Sequence, residues 1–358
     1  GKIDSEEISL SDISRFTSDN AFYPNISELR RNVEKVAVSN NIPYLANEKY
    51  FNMNPASTLE SKLYFLQSKI TFLSSSKESD LIKDGMSKEI QSIVSDIWLK
   101  ENFTDSEGEE FLQKYANQLT QDDHVNRIDR LLWDGRTTEA KSIMKFVDED
   151  YQRLFFARIQ IEKSPKYIDK IIRSVLRRLR SNEGLAYRRV MWYKSRDQID
   201  ELLDVIIALP QELQFPEKWW SLRHLYAREM FKKKKYKISY QLTKNHGLPT
   251  NASDFWEAEW TSGWIALRFL DKPEEAYVHF NNLYRNVRQP VTLARATYWL
   301  AMASEAMGNK KQAIEWYKEA AKYPIFFYGQ IAIHKHRTLD PIGARDDIIL
   351  PKNPNITA

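Results

Sequence analysis

Few side chains in this sequence can do covalent or metal chemistry. None of the 358 residues is cysteine, which excludes a thiolate zinc site, an iron–sulfur cluster, a cysteine nucleophile and a disulfide framework. Six histidines leave only a histidine–carboxylate site open to a metal. His334 and His336, two residues apart, point to different sides of a helix, so no metal site is expected. No G-x-x-x-x-G-K-[ST] loop or dinucleotide fingerprint occurs, and no cofactor is expected. Charge offers more. Residues 1–120 carry 13 Lys and Arg against 19 Asp and Glu, whereas the remainder carries 40 against 30. The excess gathers in Arg177, Arg178, Arg180, Arg188 and Arg189 and in Lys232, Lys233, Lys234 and Lys235. These are candidates for contact with an anionic partner, against the plainer reading of solvated helix faces. No nucleic-acid motif accompanies them, and nucleic acid is not expected as a partner.

The elements that must position these residues are helical. Glycine is scarce, 10 residues in the chain, about 3% where about 7% is usual, which speaks against β-rich folds. The longest clean apolar stretches, 205–210 and 298–303, fall far short of the roughly 18–20 residues that span a bilayer, so no membrane span is expected. From Pro290, Leu293, Ala296, Leu300, Ala303 and Met307 recur at helical spacing up to Gly308, where a left-handed cap is wanted. A second helix carries Ala313, Trp316, Tyr317, Ala320 and Ala321 and stops at Pro324. The pair predicts a helical hairpin. A turn residue followed five positions on by a small one recurs as Gly308 with Ala313, Asp271 with Ala276 and Lys234 with Ser239, in two steps of 37 residues, and once more upstream as Gly135 with Ala140. Periods of this length characterise helical-hairpin solenoids, and residues 126–337 read as stacked hairpins.

Upstream the pattern is looser. Residues 58–74, 87–100 and 108–119 each predict a helix, the first with a start signal in Ser57 and Glu60, the spacing of a capping box. Residues 1–20 are polar and predict a poorly ordered start, opening on Gly1-Lys2 as a processed end would. Residues 338–358 hold three prolines and predict an extended strap or linker. The main body is thus 21–337, with looser helices over 21–120 and hairpin repeats over 121–337.

Most of the ten tryptophans fall at core spacing. Trp219 and Trp220 are adjacent and cannot both face inward on a one-sided helix, so one is expected to form a partner-facing platform. His124 and His279 are expected to be packed and hydrogen-bonded.

The order of residues in the second half carries a resemblance. Glu257-Ala258-Glu259-Trp260, Gly263-Trp264 through Leu270, His279-Phe280, Arg295, Tyr298-Trp299, Tyr317, Tyr323-Pro324 and Phe327-Tyr328-Gly329-Gln330 resemble the superhelical domain of soluble lytic murein transglycosylases. Asp123-His124, Leu131-Leu132-Trp133, Trp219-Trp220, Tyr240 and His246-Gly247 extend the likeness over roughly 20–337. The resemblance implies an all-α, right-handed superhelix (α-solenoid) of stacked, TPR-like helical hairpins, curved or ring-shaped. It also implies a periplasmic setting and structural roles for Trp133, Trp219, Trp220, Glu259, Trp260, Gly263, Trp264, His279, Phe280, Arg295, Trp299, Tyr328, Gly329 and Gln330.

In that family a lysozyme-like domain follows and cleaves the bond between N-acetylmuramic acid and N-acetylglucosamine of peptidoglycan to 1,6-anhydromuramoyl products. Its signature is a glutamate-serine dipeptide with a glycine-rich stretch after it. Only Glu60-Ser61 and Glu78-Ser79 supply the dipeptide and neither is followed by the stretch, so no catalytic residue is expected in this chain. The expected function is that of a non-catalytic domain shaping access of peptidoglycan glycan strands to a catalytic domain not included here. The alternative is a helical-repeat scaffold that binds cell-wall synthesis proteins.

Overall fold

The computed structural model describes residues 15–17, 19–20, 23–75, 79–163 and 165–341. The polar start expected over 1–20 and the strap expected over 338–358 lie mostly outside the described residues. Among the described residues every regular element is a helix, and the helices pack in neighbouring pairs. The chain divides into two compact units, Gly1–Arg188 and Arg189–Ala358, later than the change of pattern at 120 that the sequence suggested.

The first unit contains α1 (Ile26–Ser39), α2 (Tyr44–Met53), α3 (Leu59–Ser75), α4 (Asp80–Lys100), α5 (Asp105–Tyr115), α6 (Gln121–Trp133), α7 (Thr137–Ile143), α8 (Glu149–Glu162) and the short α9 (Asp169–Ser174). Helix α10 (Glu183–Lys194) straddles the sequence boundary. Two starts follow local chemistry: Thr104 with Glu107 and Thr120 with Asp123 form reciprocal capping boxes at α5 and α6, each satisfying two otherwise orphaned donors. The box expected at Ser57 and Glu60 is displaced by one residue. Thr58 Oγ1 accepts from the Ser61 amide at 3.2 Å, because Ser57 is taken by the buried Glu34 carboxylate, to which it donates its amide at 3.0 Å and its hydroxyl at 2.9 Å. Helix α4 starts seven residues before its expected start at 87. Its first turns are exposed, Leu81 included, so they carry no apolar period to read, and extension of a nucleated helix needs none.

The second unit contains α11 (Ile199–Ile207), α12 (Pro216–Lys232), α13 (Tyr236–Lys244), α14 (Phe255–Phe269), α15 (Pro273–Asn286), α16 (Pro290–Ala306), α17 (Lys310–Ala321) and α18 (Phe327–Leu339). Proline opens α12, α15 and α16, where its missing N–H is no loss. The turns between paired helices share one geometry. Asp197, Lys234, Asp271 and Gly308 have φ of 54°, 57°, 54° and 78°, and they stand 37 residues apart. Gln198, Lys235 and Asn309 each donate their amide to the carbonyl five residues back, at 3.1, 2.8 and 2.9 Å, while Lys272 reaches six back, to Ala266, at 3.0 Å. These are left-handed C-terminal caps. Five residues beyond each, Leu202, Ser239, Ala276 and Ala313 are fully buried. The first of the four turns, Asp197 with Leu202, was hidden in the sequence because leucine is not small.

In the second unit close approach is literal at two glycines. A Cβ on Gly263 would lie 2.6 Å from the Phe280 ring, and one on Gly329 only 2.0 Å from the backbone carbonyl oxygen of Tyr323. Three expectations are corrected. Trp219 and Trp220 are both buried: α12 is covered on more than one side, with Trp220 packed against Leu248, Phe255 and Ala258, so neither ring forms a platform. Gln330 is exposed, although Tyr328 and Gly329 beside it pack inward. His124 is packed without a hydrogen bond at Nδ1. Its ring stacks on Phe146 at 4.9 Å and meets Trp98 edge-on, and burial lowers its pKa, ahead of the opposing pull of Asp123.

Candidate functional site

The expected basic surface is partly spent inside the fold. The last carbonyls of a helix lack intrahelical partners and carry the negative end of its dipole, and arginine repeatedly answers them. Arg180 donates to the carbonyls of Val175 at 2.8 Å and Arg173 at 2.9 Å, at the end of α9. Arg188 donates to Leu132 at 2.9 Å, at the end of α6, and pairs with Glu162 at 2.8 Å. The buried Arg127 bonds the carbonyls of Trp98 and Glu101 after α4, and the buried Arg223 those of Ile206 and Leu242 at the ends of α11 and α13. Arg178 is exposed but paired with Asp150 at 3.1 Å. Arg177 is exposed, Arg189 half-buried, and Lys232–Lys235 form an exposed turn in which Lys233 holds Glu229 at 2.5 Å. Arg180 and Arg188 therefore act as clamps on helix ends.

A buried polar network occupies the second unit. His279 on α15 places Nδ1 2.5 Å from Glu259 Oε2 on α14 and Nε2 3.2 Å from the Tyr240 hydroxyl on α13. Asn282 donates to Glu259 Oε1 at 3.2 Å, and His246 Nε2 lies 3.6 Å from the same oxygen. The order tyrosine–histidine–glutamate is that of a nucleophile, its base and an orienting acid. Electrostatics decides against that use. Burial pushes the Tyr240 hydroxyl up to about 12, helped by Glu275 and Glu259. Burial also works to raise Glu259, but the imidazoles of His246 and His279 outweigh it and hold the carboxyl at about 2. A general acid needs the opposite shift, and a buried phenol with a raised pKa is a poor nucleophile. The network ties α13, α14 and α15 together. Among the described residues no cluster of His, Asp and Glu could hold a metal ion. Glu60 is exposed on the first turn of α3, and Glu78 lies outside the described residues. His334 is exposed and His336 buried.

Another side of α14 carries an aromatic row that is packed against the core at Trp260 and Trp264 and open at Trp256. Trp256, Trp260 and Trp264 stand at i, i+4 and i+8 along α14, which puts them on one side of the helix. Trp256 is 38% exposed and the other two are half-buried. Trp260 and Trp264 stack with centroids 5.7 Å apart and planes within 14°. Arg295, on α16, sets its guanidinium 5.1 Å from the Trp260 ring, 5.5 Å from Trp256 and 5.6 Å from Tyr328 on α18. Among the described residues Arg295 has no carboxylate partner, so the rings hold the cation at a surface where an anion can still reach it. Trp260, Trp264, Arg295 and Tyr328 were read from sequence as structural; the structure brings them together as a partly open ladder. Trp256 was missed, although the four-residue spacing of the three tryptophans was visible.

No protein-family model, curated protein or solved structure matches this chain.

Proposed function

We propose that this chain is a non-catalytic, right-handed superhelical domain of the lytic transglycosylase type, which binds peptidoglycan glycan strands in the periplasm and shapes their access to a catalytic domain. The Trp256–Trp260–Trp264 ladder with Arg295 above it carries this reading. Aromatic faces stack on the apolar faces of pyranose rings, and a guanidinium held without a carboxylate partner suits the carboxylates of peptidoglycan. Glu259, with its carboxyl held low, argues for a binding role over hydrolysis by this unit.

The test is co-sedimentation of the chain with purified sacculi. Trp256→Ala and Arg295→Gln should each weaken binding about fivefold, the equivalent of roughly 1 kcal/mol, with muropeptide release absent throughout. Binding equal to wild type in both variants removes the reading. A second reading, a scaffold for cell-wall synthesis proteins, is favoured by Ile325 and Phe327, which stand 80% and 67% exposed beside Tyr328, since exposed apolar side chains grouped together mark protein contacts. Capture of such a protein that is lost in Phe327→Ser, with sacculus binding absent, decides for it.

A further inference from the structure

A second recess in the same unit has a chemistry of its own. It lies between α12, α13 and α14, with a volume of about 160 Å³, and Ala227, Phe231, Ile265 and Trp264 supply its apolar wall. Arg228 and Lys232, both exposed, line it from the last two turns of α12. Four residues apart on a helix, they share a face. Among the described residues neither has an ion partner, and the nearby Glu229 is committed to Lys233. Two like charges at this spacing repel each other unless an anion lies between them. Thr261 also lines the recess, and its hydroxyl makes no hydrogen bond among the described residues, although a helical threonine ordinarily bonds its own helix backbone. Ser239, fully buried, donates its hydroxyl to the Ala227 carbonyl at 2.8 Å and keeps lone pairs for a donor in the recess.

We propose that this recess binds the C-terminal carboxylate of a short peptide ending in small residues. Arg228 and Lys232 take the carboxylate, Arg228 through its planar fork of donors. The Thr261 hydroxyl meets a backbone group of the last peptide unit, and methyl-sized side chains lie on Trp264, Phe231 and Ile265. The volume admits one or two such residues and excludes long or aromatic ones. This inference shares Trp264 with the glycan reading but needs neither Trp256 nor Arg295.

Isothermal titration of the full chain with acetyl-alanyl-alanine, and with the same peptide ending in a carboxamide, tests it. The acid is expected to bind at least tenfold more tightly than the amide, and more weakly as salt is raised. Arg228→Gln combined with Lys232→Gln should remove that preference while leaving the melting temperature unchanged, since both side chains are exposed. Thr261→Val should weaken both peptides a few-fold. Trp256→Ala and Arg295→Gln should leave peptide binding intact even where sacculus binding is lost, which separates failure of this inference from failure of the other. Equal affinity for acid and amide, no heat with the acid at tens of millimolar, or an unchanged double variant overturns the proposal. N-acetylmuramic acid binding as tightly as the dipeptide also overturns it, by assigning the cations to a sugar carboxylate.

Discussion

Between Asp197 and Gly308 the chain repeats one left-handed turn every 37 residues, whereas among the described residues of the unit ending at Arg188 that turn occurs without a register, at Asn41 and at Gly135. The two units solve the same packing problem with different emphasis: both use buried charge, the second at Arg223 and Glu259, but only the second repeats a small contact in register. In the second, a fully buried Leu202, Ser239, Ala276 or Ala313 recurs after each turn, and α14 to α17 pack as successive pairs on that pattern. In the first, helices of uneven length are tied by buried charge: Arg158 to Asp129, Lys69 to Glu89, Arg127 to the end of α4 and Glu34 to Ser57. A periodic array can repeat one small contact. An aperiodic unit has to answer each helix end separately, and long charged side chains reach what small residues cannot.

Breaking the first unit's charge network should have the largest effect. Arg158→Ala strands Asp129 in a buried site and removes the guanidinium against which Gly184 packs. Loss of one partner of a buried pair costs about 3–5 kcal/mol, readable as a drop in the urea midpoint, and a loss below 1 kcal/mol would show that the pair is dispensable. The second unit should be the more acid-sensitive at one residue. Glu259 is held at about 2 against an ordinary value of 4.5, so its contribution is complete above pH 4.5 and is lost as pH falls towards 2. The shift corresponds to on the order of 3 kcal/mol. Glu259→Gln should be less stable than wild type at pH 6, with the difference shrinking on acidification; a gap independent of pH would refute the assignment.

Overpacking comes next. Gly329→Leu has no room beside the Tyr323 carbonyl and should cost about 1–3 kcal/mol; an unaltered melting temperature would show that α18 moves aside freely. The smallest effect sharpens the comparison most. Lys234→Gly should stabilise by about 1 kcal/mol, because a side chain there bears the cost of positive φ, and Gly308→Ala should destabilise by a similar amount. Opposite signs at two positions of one 37-residue register would confirm a shared turn, whereas the same sign at both would break the equivalence.

Local chemistry along the chain determined the helical class, the hairpin from Pro290 to Pro324 and three of the four turns of the 37-residue register. Helix punctuation by proline, glycine and small residues acts within a few positions and is therefore readable in order. It also set His334 and His336 on different sides of a helix. What tertiary structure alone decided was which surfaces are covered. Trp219 and Trp220 are both inside because α12 is packed on more than one side, and Arg180 and Arg188 are clamps because helix ends distant in sequence present their carbonyls to them. Trp256 is exposed in the first turn of α14 whereas Trp260 and Trp264, on the same side, are half-buried, and Glu259, on another side, meets His279 and His246. Burial and pairing depend on neighbours dozens of residues away, and no local period encodes them.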